Sequence, residues 1–196
     1  MKICVYGAAS NEIDKAYLDA VEIFGEKMAQ RNHSLVFGGG AKGCMGASAR
    51  GMYKHGGEII GIAPSFFNVD GVLFEHCTKL VRTETMRERK QLLEEYSDAF
   101  VITPGGVGTM DEFFEIITLK QLARHKKAVV FYNVNGYYDD LCRFLEKMVK
   151  EKFAGEKMKE LYRVFSDADE LLNYLDTYCE SNVDVEGLRH INNSDK

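Results

Sequence analysis

The stretch Ala99–Glu115, AFVITPGGVGTMDEFFE, decides the fold. Its apolar run from Ala99 to Ile102 reads as a buried strand, Pro104-Gly105-Gly106-Val107-Gly108-Thr109 as a tight loop, and the acidic residues beyond as the opening turns of a helix. A strand, a glycine loop and a helix N-terminus in that order leave backbone N–H groups unpaired at the positive end of a helix dipole. Such a junction attracts anions, phosphate above all. Glu112 follows one turn into the helix and brings a carboxylate to the rim of the cradle. The pairing points to chemistry on a small phosphorylated molecule, a nucleotide.

Working outward, further strands are expected at Lys2 to Tyr6, Ser34 to Phe37, Glu58 to Ala63, Thr78 to Val81, Ala128 to Tyr132 and Arg163 to Phe165. Helices fill the intervals. The first is capped by Asp14 and carries Tyr17, Leu18, Val21, Phe24 and Met28 at helical spacing. Others end near His55, run from Arg87 to Glu95 behind Thr83 or Thr85 as cap, and run from Thr109 to about His125 with Thr109 as a candidate cap. The last two cover Tyr138 to Lys152 and Ala168 to Tyr178, and Pro64 to His76 reads as a loop. Near-continuous apolar strands alternating with helices predict an α/β fold: one open parallel β-sheet with helices on both faces. Ligands of such sheets bind beyond the carboxyl ends of the strands. The small-residue loops Gly7–Ser10, Gly38–Gly46 and Pro104–Thr109 all fall there and should converge on one crevice. Residues 1–179 are expected to form a single domain, and residues 180–196 a mobile polar tail.

Bulk properties narrow the function. A net charge of -5 and a pI near 5.6 argue against a nucleic-acid partner. No apolar run approaches the ~18 residues of a membrane span, and no secretory leader is read at MKICVYGAAS. Cys4, Cys44, Cys77, Cys142 and Cys179 are scattered, which suits reduced thiols in the cytoplasm. The five histidines share no metal-ligand spacing, so no metal is expected.

Rival readings of the motifs are weaker. Gly38-x-Gly40-x-x-Gly43 matches the dinucleotide spacing, but it follows the second strand and no acidic residue ends the next one to hold a ribose. The Pro104–Thr109 loop lacks the Gly-Lys-Ser/Thr of a nucleotide triphosphatase. Asp111 is read as an acid that complements the helix dipole. Glu112 is read as functional, placed to touch the ribose of a nucleotide whose phosphate sits in the loop. Arg87, Arg89 and Lys90 crowd one turn; they are either a solvated face or, through a guanidinium, a partner for phosphate or an active-site carboxylate.

Taken together, Gly38-Gly39-Gly40-x-x-Gly43-x-Met45-Gly46, Met86-x-x-Arg89-Lys90 and Pro104-Gly105-Gly106-x-Gly108-Thr109-x-x-Glu112 resemble the LOG (Lonely Guy) family, the cytokinin riboside 5'-monophosphate phosphoribohydrolases long mislabelled as lysine decarboxylases. The likeness runs from about Ile3 to Leu172. It implies a Rossmann-like fold, a homodimer, and hydrolysis of the N-glycosidic bond of an AMP-type nucleotide without a redox cofactor or metal. It also implies catalysis by Arg89 and Glu112. Substrate contacts would come from Ala9, Ser10, Gly39, Gly40, Met86, Lys90, Gly105, Gly106, Gly108, Thr109, Glu115 and Thr118. The chain departs from the family pattern at Cys44, Arg87 and Leu119, where leucine, histidine and tryptophan are common. Leu119 would leave a smaller wall if it faced the ligand. Decarboxylation would need a lysine bound to pyridoxal phosphate, and neither Lys42 nor Lys90 stands in such a context. A binding module that senses nucleotides without turnover is the rival from another class; a pure binder would not require the Arg89 and Glu112 pair.

Overall fold

The computed structural model describes residues 1–67 and 71–180. Seven strands form one sheet: β1 (Lys2–Tyr6), β2 (Ser34–Phe37), β3 (Ile59–Pro64), β4 (Lys79–Thr83), β5 (Ala99–Ile102), β6 (Ala128–Tyr132) and β7 (Arg163–Phe165). Their order is β4-β3-β2-β1-β5-β6-β7, and every neighbouring pair is parallel. The chain winds outward from β1 on one side, then returns to add β5 on the other. The β1/β5 boundary is therefore the switch point at which such sheets open a binding crevice.

Among the described residues six α-helices cover the sheet: α1 (Lys15–Gln30), α2 (Gly43–Lys54), α3 (Met86–Glu95), α4 (Val107–Gln121), α5 (Asp139–Lys150) and α6 (Ala168–Asp176). Alternation along β1 sorts the two layers, since successive strand residues point to opposite faces. Ile3 and Val5 join a core with Val21, Phe24, Met52 and Leu171 from α1, α2 and α6. Cys4 and Tyr6 join the opposite core with Leu93, Phe113, Ile116 and Leu145 from α3, α4 and α5. Phe113, Ile116 and Ile117 clamp α4 to the sheet; burying a side chain of that size contributes about 1.5–3 kcal/mol.

Local signals explain the helix starts. The Asp14 carboxylate accepts the Ala16 N–H at 2.8 Å, and the Thr85 hydroxyl accepts the Glu88 N–H at 3.1 Å. Thr109 caps nothing: α4 begins earlier, with Gly106 in the cap position and Thr109 buried in the first turn. It also ends before His125, because Ala123 turns left-handed at φ 54°. His125 folds back instead, its Nε2–H donating to the Ile116 carbonyl at 2.9 Å. The third strand starts at Ile59, one residue beyond Glu58, and a 3-10 turn at Ser65–Phe67 interrupts the predicted loop. The part of the expected tail beyond Glu180 lies outside the described residues.

Candidate active site

The three small-residue loops meet. The Ala8 N–H donates to the Pro104 carbonyl at 3.0 Å, the Met45 N–H to the Ala8 carbonyl at 3.3 Å, and the Gly43 N–H to the Asn11 side-chain oxygen at 2.8 Å. They surround a crevice of about 530 Å³ at the carboxyl ends of the strands, large enough for a small molecule. A fourth segment closes one side. The Ala41 N–H donates to the Val72 carbonyl at 2.9 Å and the Phe74 N–H to the Gly39 carbonyl at 2.8 Å, which brings Val72 and Leu73 into the wall beside Phe67.

Two helices deliver the charged centre. On α3 the buried residues are Arg89 and Leu93, four apart, so the guanidinium lies on the face turned to the sheet. On α4 Glu112 sits beside Phe113 on the buried face. Arg89 Nη1 donates to Glu112 Oε1 at 2.8 Å, with the two side chains only 8% and 10% exposed. A side chain at Gly38 would force the guanidinium to move, since a Cβ there would fall 2.0 Å from Arg89 Nη2. Burial raises the pKa of Glu112 above the ordinary 4.5, and the adjacent Arg89 opposes that rise. The Arg89 Nε–H is buried with no acceptor among the described residues.

The N-terminus of α4 is open. Its first internal hydrogen bond runs from the Met110 N–H to the Gly106 carbonyl at 3.1 Å, so the N–H groups of Val107, Gly108 and Thr109 precede the ladder. A Cβ at Gly106 or Gly108 would meet nothing within 4 Å. A ligand can approach this backbone directly. Tyrosines brace the loop from behind: Tyr137 donates its hydroxyl to the Gly105 carbonyl at 2.8 Å, and Tyr138 to the Thr103 carbonyl at 2.7 Å.

Of the residues expected to bind substrate, Ala9, Gly40, Met86, Gly106, Gly108 and Thr109 line the crevice with Arg89 and Glu112. Ser10, Gly39, Lys90, Gly105, Glu115 and Thr118 do not, and Thr118 is exposed. Lys90 bonds Asp111 at 3.1 Å and Glu115 at 2.6 Å, a clamp between α3 and α4 outside the crevice. Gly105 packs beneath Thr109, whose Oγ1 lies 2.2 Å from where a Gly105 Cβ would be. Asp111 is not a first-turn acid, because α4 begins at Val107; it lines the crevice and holds Lys90. Arg87 is exposed, and Leu119 is half-buried away from the crevice wall. The lining also includes Lys42, within a loop expected at the crevice but not singled out there, and Phe67, Val72 and Leu73, which the sequence does not point to. The last three sit in a segment without periodicity, where only the partner loop reveals their placement. Among the described residues no cluster of His, Cys, Asp and Glu is grouped to hold a metal ion, and no helix is long and apolar enough to cross a membrane.

A parallel sheet with an open helix N-terminus and a buried Arg–Glu pair at its switch point defines a Rossmann-like α/β protein. The family model described as "possible lysine decarboxylase" matches residues 45–175. A cytokinin riboside 5'-monophosphate phosphoribohydrolase of Arabidopsis thaliana is 35% identical over 178 residues, covering 91% of this chain and 83% of that protein. A probable cytokinin riboside 5'-monophosphate phosphoribohydrolase of Oryza sativa subsp. japonica is 36% identical over 177 residues, covering 90% and 78%. The chain belongs to this family, the LOG family. Among solved structures, the molybdenum cofactor binding protein of Rippkaea orientalis superposes with a TM-score of 0.70 at 19% identity, covering 90% of this chain and 95% of that one. The Moco carrier protein of Chlamydomonas reinhardtii gives 0.67 at 19% identity over 89% and 94%. These two share the fold.

Proposed function

We propose that this chain is a nucleoside 5'-monophosphate phosphoribohydrolase, cleaving the N-glycosidic bond of AMP or an N6-modified AMP to free base and ribose 5-phosphate. The observation that carries the reading is the buried Arg89–Glu112 pair on the wall of a crevice that also holds the open N-terminus of α4. The names of the relatives, phosphoribohydrolases acting on cytokinin riboside 5'-monophosphates, support the same bond. With the phosphate at the α4 N-terminus, contacted through Gly106, Gly108 and Thr109, the sugar falls beside Glu112. Ala9, Gly40 and Met86 form the remaining contacts.

Breaking a glycosidic bond passes through an oxocarbenium-like state, which an adjacent carboxylate stabilises. Glu112 also orients the attacking water and accepts its proton. The water oxygen bonds the anomeric carbon as the carbon–nitrogen bond breaks; one water proton stays on the new hydroxyl and the other ends on the base. Arg89 holds the Glu112 carboxylate in place and leaves its Nε–H for the ligand. Burial, which raises the Glu112 pKa, makes its carboxylate a stronger base than an exposed one.

The test is chromatography of AMP and N6-isopentenyl-AMP incubated with wild type and Glu112→Gln. Wild type should release free base, and the variant should lose about 10²-fold or more of kcat while still binding AMP. Because Glu112 must be ionised, kcat should fall on acidification through a pKa above 4.5. AMP binding by both proteins with base release by neither would leave a nucleotide-sensing module in place of an enzyme.

The same reading makes the protein a cytoplasmic homodimer, with residues 1–179 as its working domain. All five cysteines are free thiols, in keeping with a reducing compartment. Val107 and Phe114 on α4 and Leu122 at its C-cap are 88%, 37% and 39% exposed and lie on one side of that helix, a surface suited to a second copy. Sedimentation as a monomer at micromolar concentration would remove the dimer from this account.

A further inference from the structure

We propose that Lys42 is the residue that reads the charge of the substrate's phosphate and so selects nucleotides over nucleosides. The proposal deepens the hydrolase reading above and rests on its placement of the phosphate. Four charged side chains line the crevice: Lys42, Arg89, Asp111 and Glu112. Three of them are matched internally, Arg89 with Glu112 at 2.8 Å and Asp111 with Lys90 at 3.1 Å. Lys90, the other cation at hand, is held by Glu115 as well. Lys42 pairs with no carboxylate among the described residues, so the described lining carries one positive charge with no ion-pair partner.

The backbone around Lys42 is fixed, while its side chain has no hydrogen-bond or ion-pair partner among the described residues. Lys42 is extended at the N-cap of α2 (φ -111°, ψ 168°), and its carbonyl accepts the Gly46 N–H at 3.0 Å. The next N–H, that of Gly43, is taken by Asn11, and that of Met45 by the Ala8 carbonyl. The α2 terminus therefore offers an anion little backbone; what its loop contributes is the ammonium. The α4 terminus across the crevice offers N–H groups and no cation of its own. A phosphate monoester carries about -1.5 to -2 charges at neutral pH. A helix terminus supplies only about +0.5, and a lysine adds a full point charge. The buried, unpartnered Nε–H of Arg89 on the same wall is a second sign that a ligand completes this site.

The test is calorimetric titration of ribose 5-phosphate, AMP and adenosine into wild type, Lys42→Met and Lys42→Arg, with the KM for AMP measured in parallel. Lys42→Met should weaken ribose 5-phosphate and AMP on the order of ten-fold, as expected for loss of a charge-assisted contact. Lys42→Arg should retain most of that affinity, and adenosine should bind all three proteins alike. Unchanged ribose 5-phosphate affinity in Lys42→Met would overturn the proposal. So would an equal loss for adenosine, or no binding of either phosphorylated ligand by wild type. If the protein releases no base from AMP but phosphate affinity still tracks Lys42, the hydrolase reading fails and this assignment stands. If base is released and Lys42→Met leaves the KM for AMP unchanged, the reverse holds.

Discussion

The two glycine loops that face each other across the crevice use glycine for opposite purposes. In Gly38–Gly46 the glycines let loops close on one another: Gly43 lies against Ala8, Gly46 against Ala41, and Gly38 against the Arg89 guanidinium. The N–H groups of Ala41, Gly43, Met45 and Gly46 are all engaged within the protein. In Pro104–Thr109, Gly106 and Gly108 face open space and the N–H groups above them precede the α4 ladder. One loop is a joint and the other a receptor. Glycine spacing alone does not separate the two, because the difference lies in what the neighbouring segments donate and accept.

The largest effect on stability should come from making the joint bulky. Gly43 has φ +62°, and a Cβ there would fall 2.2 Å from the Ala8 carbonyl oxygen and 2.8 Å from the Ser10 nitrogen. Both backbone strain and the clash with main chain oppose Gly43→Ala, which should destabilise the fold by about 2–4 kcal/mol. Urea unfolding followed by circular dichroism measures this. A variant that unfolds like wild type would mean that the loop is not a rigid joint, and the contrast between the loops would collapse.

A smaller effect should come from loosening the receptor. Tyr137→Phe removes the hydroxyl that meets the Gly105 carbonyl at 2.8 Å but keeps the ring, whose edge contact with Tyr17 has centroids 5.6 Å apart. Loss of one such hydrogen bond is worth about 1 kcal/mol. The expected readout is a KM for AMP raised about five-fold with kcat nearly unchanged, since the bond steadies the cradle and not the reacting carboxylate. An unchanged KM would assign the bracing to Tyr138 and the Ala8–Pro104 bond alone.

How much of this was legible in the sequence follows from the range of each signal. The strands, the Asp14 cap, the choice of Thr83 or Thr85 that the structure settles on Thr85, and the convergence of the loops rest on local patterns, because strand runs and cap chemistry are decided within a few residues. Arg89 and Glu112 were reachable through their motifs, and the helix faces that carry Leu93 and Phe113 turn both inward. The residues that lie off the crevice wall are set there by tertiary contacts. Lys90 and Glu115 sit in or beside motifs, yet each satisfies the other across α3 and α4. Asp111 reads as a dipole acid only for a helix that starts at Thr109, and α4 starts two residues earlier, at Val107. Lys42 sits in a loop whose place at the crevice is legible, but Val72 and Leu73 join the site through the bonds of the Val72–Phe74 segment to the Gly39–Ala41 turn. No periodicity in one chain encodes that meeting.

The smallest predicted stability change, and the one of opposite sign, is the same substitution made in the receptor. Gly108 lies in the first turn of α4, and a Cβ there meets nothing within 4 Å. Alanine is the better helix former by about 0.5–1 kcal/mol, so Gly108→Ala should stabilise the free protein by up to that amount. The added methyl, however, enters the space through which an anion reaches the α4 N–H groups, so AMP affinity should fall by several-fold. Identical chemistry would then lower stability at Gly43 and raise it at Gly108, with binding reporting only on the second. Thermal melts of the free protein, paired with AMP titrations, read both signs in one series. A Gly108→Ala protein that is more stable and binds AMP as tightly as wild type would move the phosphate away from the α4 N-terminus. The joint would then have to be reconsidered as the place where the anion sits.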